Sequence, residues 1–135
     1  MATRFGTQAW DLAVPDGWEA SHGEDCAALV GPSELGALQI SAAFKESEVL
    51  DDDLRDFASE HLNAGATPLE CSAGDFTGFE VRFSDGESFW RQWFLRHGRK
   101  MLFVTYNCSV AGQGVEDGAV DEILASLRSV MNDVV

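Results

Sequence analysis

The chain has 135 residues, of which 45% are hydrophobic and 24% charged, so it can bury a core and its composition argues against disorder. Asp and Glu number 23 against 9 Lys and Arg, which gives a net charge of -14. This charge argues against nucleic acid and anionic membranes as partners and favours basic or apolar proteins. No apolar run is long enough for membrane insertion.

The first part of the chain predicts three strands. Alternating apolar residues indicate each strand, and turn residues at Pro15–Gly17 and Gly31–Pro32 separate them. The predicted strands are Gln8–Val14, Asp25–Val30 and Ala37–Phe44.

A helix is predicted over Asp51–Ala64, because apolar side chains recur there at helical spacing. The stripe consists of Leu54, Phe57, Ala58, His61 and Leu62. Acidic residues at its start can cap free backbone N–H groups and oppose the helix dipole, and Gly65 is placed to end it.

The second part predicts four more strands and a closing helix. The strands are Pro68–Ser72, Thr77–Ser84, Glu87–Arg96 and Lys100–Ser109. The helix is predicted over Glu116–Met131, with Val120, Ile123, Leu124, Leu127 and Met131 as its apolar stripe. Neither a repeat nor a linker is visible, so we expect a single domain over residues 1–135.

Two glycine-containing turns predict how the last three strands pair. A two-residue turn at Gly98–Arg99 places Phe94 opposite Phe103 and Leu95 opposite Leu102. A two-residue turn at Asp85–Gly86 places Val81 opposite Trp90 and Glu80 opposite Arg91 as a charge pair.

The central strand Glu87–Arg96 carries large apolar residues at both odd and even positions, which indicates that both faces of the sheet are covered. One amphipathic helix on each face would cover them. The sequence therefore predicts an α+β fold, a three-layer α/β/α sandwich around a mainly antiparallel sheet.

The order of these elements resembles the Mog/PsbP-like fold. The resemblance is carried by Leu12–Trp18, by Arg91–Phe94 leading into Leu102–Tyr106, and by Ile123–Leu127. It implies a protein without catalytic residues, because known members include a Ran-binding nuclear transport factor, a photosystem II subunit and Eag-type chaperones of type VI secretion effectors. The family shares no catalytic set to transfer to this chain.

Cysteine usage and the first residues indicate a reducing compartment. Cys26, Cys71 and Cys108 are odd in number and widely spaced, so free thiols are expected. The residues after Met1 lack the apolar core of a signal peptide, which favours the cytoplasm. His22–Cys26 groups metal-ligand types, but it lacks the further ligands of a zinc site, so neither metal nor cofactor is expected.

Two hypotheses for function follow. The first is a non-enzymatic interaction module, such as an adaptor, effector chaperone or immunity-like protein. It would bind a protein partner through acidic residues of the first helix, namely Asp51, Asp52, Asp53, Asp56 and Glu60.

The second hypothesis is a small-ligand-binding protein or enzyme with a pocket between sheet and helix, using Trp90, Arg91 or His61. Aromatic residues on paired strands are more often part of a core. A nucleophile elbow and a phosphate-binding loop are both missing from the sequence, so we expect the protein not to be an enzyme.

Overall fold

The computed structural model of the protein describes residues 3–24 and 26–130. In this part of the chain the strands are β1 Thr3–Gly6, β2 Trp10–Val14, β3 Glu19–His22, β4 Ala27–Val30, β5 Gly36–Phe44, β6 Leu69–Ala73, β7 Phe76–Ser84, β8 Ser88–His97, β9 Lys100–Ser109 and β10 Arg128–Ser129. The helices are α1 Asp51–Phe57, α2 Ser59–Asn63 and α3 Asp117–Ala125. Among these described residues, no helix has the length and apolar character needed to cross a membrane.

The strands form two antiparallel sheets. The large sheet has the strand order β3-β4-β5-β9-β8-β7-β6, and the small sheet has the order β1-β2-β10. Strands β7, β8 and β9 form the predicted meander, and β5 pairs with β9 along its whole length. The expected α+β sandwich with a mainly antiparallel sheet is therefore confirmed.

Each face of the large sheet carries its own apolar cluster. On the face towards α1, Phe79, Val81 and Phe94 pack with Leu54 and Ala58. On the opposite face, the main cluster joins the sheet to α3 and the small sheet; among its members are Trp93, Leu95, Val104, Tyr106, Trp10, Ile123 and Leu124. The two-sided pattern of β8 is thus explained by helical layers on opposite faces, as predicted.

One of the two predicted registers is right and the other is wrong. Phe94 pairs with Phe103 and Leu95 with Leu102, as the turn at Gly98 requires. The β7–β8 pairing is shifted by two residues from the prediction, so that Glu80 faces Trp93 and Val81 faces Gln92.

The shift has a local cause. Asp85 Oδ1 accepts hydrogen bonds from the N–H groups of Glu87 and Ser88, at 3.0 Å and 2.8 Å, and Asp85 N–H donates to Ser88 O at 3.1 Å. The two-residue turn therefore lies at Gly86–Glu87, one residue later than predicted, and this moves the register by two. Because the shift is an even number of residues, every side chain keeps its predicted face.

Both predicted helices are shorter in the structure. The helix predicted over Asp51–Ala64 is interrupted at Ala58, whose φ of -93° and ψ of 7° separate α1 from α2. Since α2 buries none of its residues, packing supplies little to hold a continuous helix together. Gly65, with φ of +98°, follows the end of α2 as predicted.

The helix predicted over Glu116–Met131 ends at Ala125. Ser126 Oγ donates to Ile123 O at 2.5 Å and accepts from Ala13 N–H at 2.8 Å, so its side chain ties the helix end to β2. The chain then forms β10, which pairs with β2. The predicted stripe residue Met131 lies outside the described residues.

Candidate functional site

The five acidic residues of the first hypothesis lie along α1 and α2, and we call them the acidic helix surface. They differ in what they contact. The carboxylates of Asp52, Asp56 and Glu60 are exposed. Asp51 accepts a hydrogen bond from Arg96 Nε at 2.8 Å, while it stays exposed.

Asp53 is already engaged inside the fold. Its Oδ2 accepts from Leu50 N–H and from Lys45 Nζ, both at 2.8 Å. The hydrogen bond from Leu50 is the main reason why the pKa of Asp53 is lowered, and Lys45 adds to it. The predicted capping role is therefore confirmed for Asp53, and its charge is less available to a partner than those of Asp52, Asp56 and Glu60.

A groove of about 420 Å³ runs beside the acidic helix surface, and we call it the acidic groove. It is lined by Ala43, Phe44, Lys45, Val49, Asp53, Asp56, Phe57 and Met101. Two of its aromatic residues are unusually open to solvent, with Phe44 67% exposed and Phe57 52% exposed. Leu50, at the start of α1, is also 53% exposed. The groove therefore combines an apolar wall with a carboxylate rim.

The position of Phe57 corrects the sequence prediction, which placed it in the buried stripe of the helix. Its ring packs edge-on against Phe94 and Phe103, with centroids 5.8 Å and 5.3 Å away, and its outer side faces solvent. Periodicity alone could not separate Phe57 from Leu54, which is fully buried one turn earlier.

The structure does not bring together the three residues of the second hypothesis. Trp90 and His61 lie on the α1 face, linked through the ring of Phe83 at centroid distances of 6.2 Å and 5.0 Å. Arg91 lies on the opposite face because neighbouring residues of β8 alternate.

Arg91 is held in an ion-pair network under α3. Its Nε donates to Glu80 Oε2 at 2.5 Å, and its terminal nitrogens reach Asp121 at 2.7 Å and Asp117 at 3.2 Å. The guanidinium also lies 4.6 Å from the ring centre of Trp93. The predicted pairing with Glu80 is confirmed, although it is diagonal across the strands rather than direct.

The network also sets the charge state of Glu80. Burial acts to raise the pKa of Glu80, but hydrogen bonds from Arg91 and Arg82 outweigh it, so the pKa is lowered overall. Arg91 is only 1% exposed, and its donors are directed at protein carboxylates. This arrangement is typical of a helix docking contact rather than of an open ligand site.

A separate cavity of about 590 Å³ does lie between a helix and the sheet, beside α1, β6 and β7. Its lining includes Arg55, Cys71, Thr77, Phe79 and Arg96. Burial raises the pKa of the Cys71 thiol to about 11, so this thiol is protonated at neutral pH and is a weak nucleophile.

The structure contains free thiols at Cys26, Cys71 and Cys108. In the parts of the chain that the structure describes, no group of three or more His, Cys, Asp or Glu residues could hold a metal ion. Asp25, within the polar segment His22–Cys26, is outside the described residues.

Searches of family models and of curated proteins both returned no match for this chain. Solved structures do match. LpqN, described as involved in cell envelope biogenesis of Mycobacterium tuberculosis, is 14% identical, with a TM-score of 0.64 over 96% of this chain and 91% of that chain. A crystal structure from Bacteroides thetaiotaomicron VPI-5482 is 18% identical, with a TM-score of 0.68 over 89% of this chain. This chain spans 44% of the Bacteroides one.

The solution structure of cyanobacterial PsbP (CyanoP) from Synechocystis sp. PCC 6803 is matched as well. It is 11% identical over 95% of this chain and 92% of that chain, with a TM-score of 0.46. At the identities of LpqN and the Bacteroides protein, the likeness shows the fold alone. The chain therefore shares its α+β sandwich fold with LpqN and with the Bacteroides protein.

Proposed function

We propose that the chain is a non-enzymatic module that works in the cytoplasm by binding a protein partner through the acidic helix surface and the adjoining acidic groove. An adaptor, an effector chaperone and an immunity-like protein are the forms of such a module that the sequence resemblance favours. The single observation that carries the proposal is the exposure of Phe44 and Phe57 beside the exposed carboxylate of Asp56.

Both parts of this surface have a physical reason to engage a partner. Exposed aromatic residues lose unfavourable hydration when a partner covers them, and they often supply much of the binding energy at interfaces. Asp52, Asp56 and Glu60 add a negative rim that speeds the approach of a basic partner.

The test separates binding from stability. The variant Asp56→Lys/Glu60→Lys changes two exposed side chains beyond the capping residue Asp53, so its fold should persist. We expect affinity for a partner isolated from the native host to fall about tenfold or more, mainly through a slower on-rate, with a larger effect at low salt.

The control is a variant with the same change in net charge at two positions outside the proposed binding surface. Glu19 and Glu122 are exposed and lie outside α1, α2 and the lining of the acidic groove, so Glu19→Lys/Glu122→Lys should bind like wild type. Equal binding by wild type and by the Asp56→Lys/Glu60→Lys variant, at both salt concentrations, would remove the acidic helix surface from the site.

A second candidate is the binding of a small ligand in the cavity of about 590 Å³ beside α1. Its volume falls in the usual range for ligand sites. Arg55 offers a cationic group at its wall, where Arg96 already pairs with Asp51. A small carboxylic acid is the matching ligand class. A rise in Tm with millimolar acetate, succinate or citrate that disappears in Arg55→Met would favour this candidate, and unchanged Tm values would count against it.

A further inference from the structure

Strand β5 lies between β4 and β9 in the large sheet, but its last residues extend beyond the end of β4. Strand β5 pairs with β9 from Gly36 to Phe44, but with β4 only from Ala37 to Ile40. Within the described residues, no strand pairs with the outer side of Ser41–Phe44. We call this segment the open edge.

The backbone of the open edge has hydrogen-bonding groups that point away from β9. Lys45 donates its N–H inward, to Arg99 O at 2.9 Å. Because successive residues of an antiparallel strand direct their backbone groups to opposite sides, the N–H and C=O groups of Ala42 and Phe44 point outward. Ala42, Ala43 and Phe44 are also exposed, so a partner can reach this edge.

A groove lies on each face of the sheet beside the open edge. The acidic groove occupies the α1 face, where Ala43 lines it. A second groove of about 390 Å³, which we call the hairpin groove, is lined by Ile40 and Ala42 of β5 and by Trp10, and Phe44 lines both grooves. A strand added here would place alternate side chains over the two grooves.

The charges that line the two grooves indicate which charge the added strand of a partner should carry. In the acidic groove Lys45 pairs with Asp53, which leaves the exposed Asp56 as its negative charge, and Glu24 lines the hairpin groove. The edge segment Ser41–Phe44 itself holds no charged residue or proline, the residues with which proteins commonly protect a free edge.

We propose that the open edge binds an extended segment of a partner protein by strand addition, and that this segment is apolar in its centre and carries Lys or Arg at its ends. The inference rests on the proposed function and specifies how the partner is held. Backbone hydrogen bonds to Ala42 and Phe44 supply affinity, and the two grooves supply specificity for apolar side chains. A second copy of this chain is disfavoured as the occupant, because each copy has a net charge of -14.

The probe is a synthetic peptide, Lys-Ile-Val-Ile-Val-Lys with blocked ends, measured by NMR titration of the ¹⁵N-labelled full chain at low salt. We expect saturable shifts at the amides of Ala42 and Phe44, and amide hydrogen exchange there slowed about tenfold or more at saturation. A matched peptide with Glu in place of both Lys residues should bind about tenfold more weakly or worse.

Two further measurements isolate the backbone hydrogen bonds. Methylation of the peptide nitrogens on alternate residues removes donors from one side of the added strand only. Methylation of the set of nitrogens that faces β5 should abolish binding. Methylation of the other set should leave the affinity within about twofold of that of the parent peptide. In the protein, Ala42→Pro removes one outward N–H and should weaken binding about tenfold, while Glu122→Lys on α3 should leave it unchanged.

The possible outcomes are distinct. Failure of the Lys peptide to bind at millimolar concentration, or equal tolerance of both methylated sets, overturns strand addition. Dimerisation through this edge, seen as a dimer that Ala42→Pro converts to monomer, overturns the choice of occupant. If a native partner loses affinity in Asp56→Lys/Glu60→Lys but not in Ala42→Pro, the proposed function stands and the open edge does not take part.

Discussion

The buried ion pair between Arg91 and Glu80 leads to a sharp prediction for stability. In Arg91→Met, an apolar side chain of similar length replaces the guanidinium. Glu80, which is 6% exposed, then loses its shortest hydrogen bond, at 2.5 Å. The contacts of α3 through Asp117 and Asp121 disappear at the same time.

The structure sets the size of the loss. Removing one partner of a buried ion pair usually costs about 3–5 kcal/mol, because a charge is left buried without compensation. Arg82 still donates to Glu80 at 2.8 Å and is itself half-exposed, so part of the compensation survives. We therefore expect Arg91→Met to lower the free energy of unfolding by about 3 kcal/mol, the lower end of that range.

Urea unfolding of wild type, Arg91→Met, Glu80→Met and the double variant measures this loss. The double variant should recover at least half of it, since an apolar pair can replace a buried ion pair at little cost. Amide exchange in α3 should also increase in Arg91→Met. A loss of less than about 1 kcal/mol would show that the pair behaves like a surface ion pair, and would refute the reasoning.

Three other outcomes are expected. Trp93→Ala, which truncates a residue that is 3% exposed, should lower the free energy of unfolding by about 3–5 kcal/mol, and a change within about half a kcal/mol would contradict its burial. The lowered pKa of Glu80 predicts that the ion pair stabilises wild type fully above the ordinary glutamate pKa and less as pH falls through the lowered folded-state pKa. The free energies of unfolding of wild type and Arg91→Met should therefore converge at low pH, which unfolding curves from pH 7 to 3 would reveal. The pKa of Cys71 is raised from 9.0 to about 11, which lowers its thiolate fraction at pH 7.5 about a hundredfold. Iodoacetamide should therefore label Cys71 slowly in the folded protein and faster after denaturation. Rapid labelling of the folded chain would argue against the burial of this thiol.

The features that the sequence predicted correctly rest on local signals. The turn at Gly98, whose φ is +60°, determines the pairing of Phe94 with Phe103 within a few residues of the turn itself. The lack of apolar and polar alternation along β8 likewise identified both covered faces, because burial of a strand on two sides leaves large apolar residues at consecutive positions.

The features that were missed depend on contacts between distant parts of the chain. Strand β10 exists because Arg128 and Ser129 pair with Asp11 and Trp10, more than a hundred residues earlier. Lys100, two residues after the turn glycine Gly98, is buried, and its Nζ donates to Ala9 O at 2.8 Å, far away in the sequence. Short, partly exposed strands such as β1 and β3 carry too little periodicity to be predicted alone.

The sequence predicted the acidic residues of the candidate site, but it did not predict the groove beside them. The acids of α1 are visible as a run of Asp residues, but the acidic groove depends on the end of β5 lying beside α1. Phe44 and Phe57 look like ordinary core residues in the sequence. Their exposure depends on which elements cover them, and for Phe44 it follows from β5 extending beyond the end of its pairing with β4.

The separation of the two apolar clusters has a consequence for how the molecule can open. The large sheet stands between them, so the layer formed by α1 and α2 can detach without exposing the main cluster to water. Detachment uncovers only the smaller cluster around Phe79 and Phe94, and it therefore costs less free energy than global unfolding. We expect α1 and α2 to exchange their amide hydrogens as one early cooperative unit, ahead of β8 and β9, and this unit carries the α1 wall of the acidic groove.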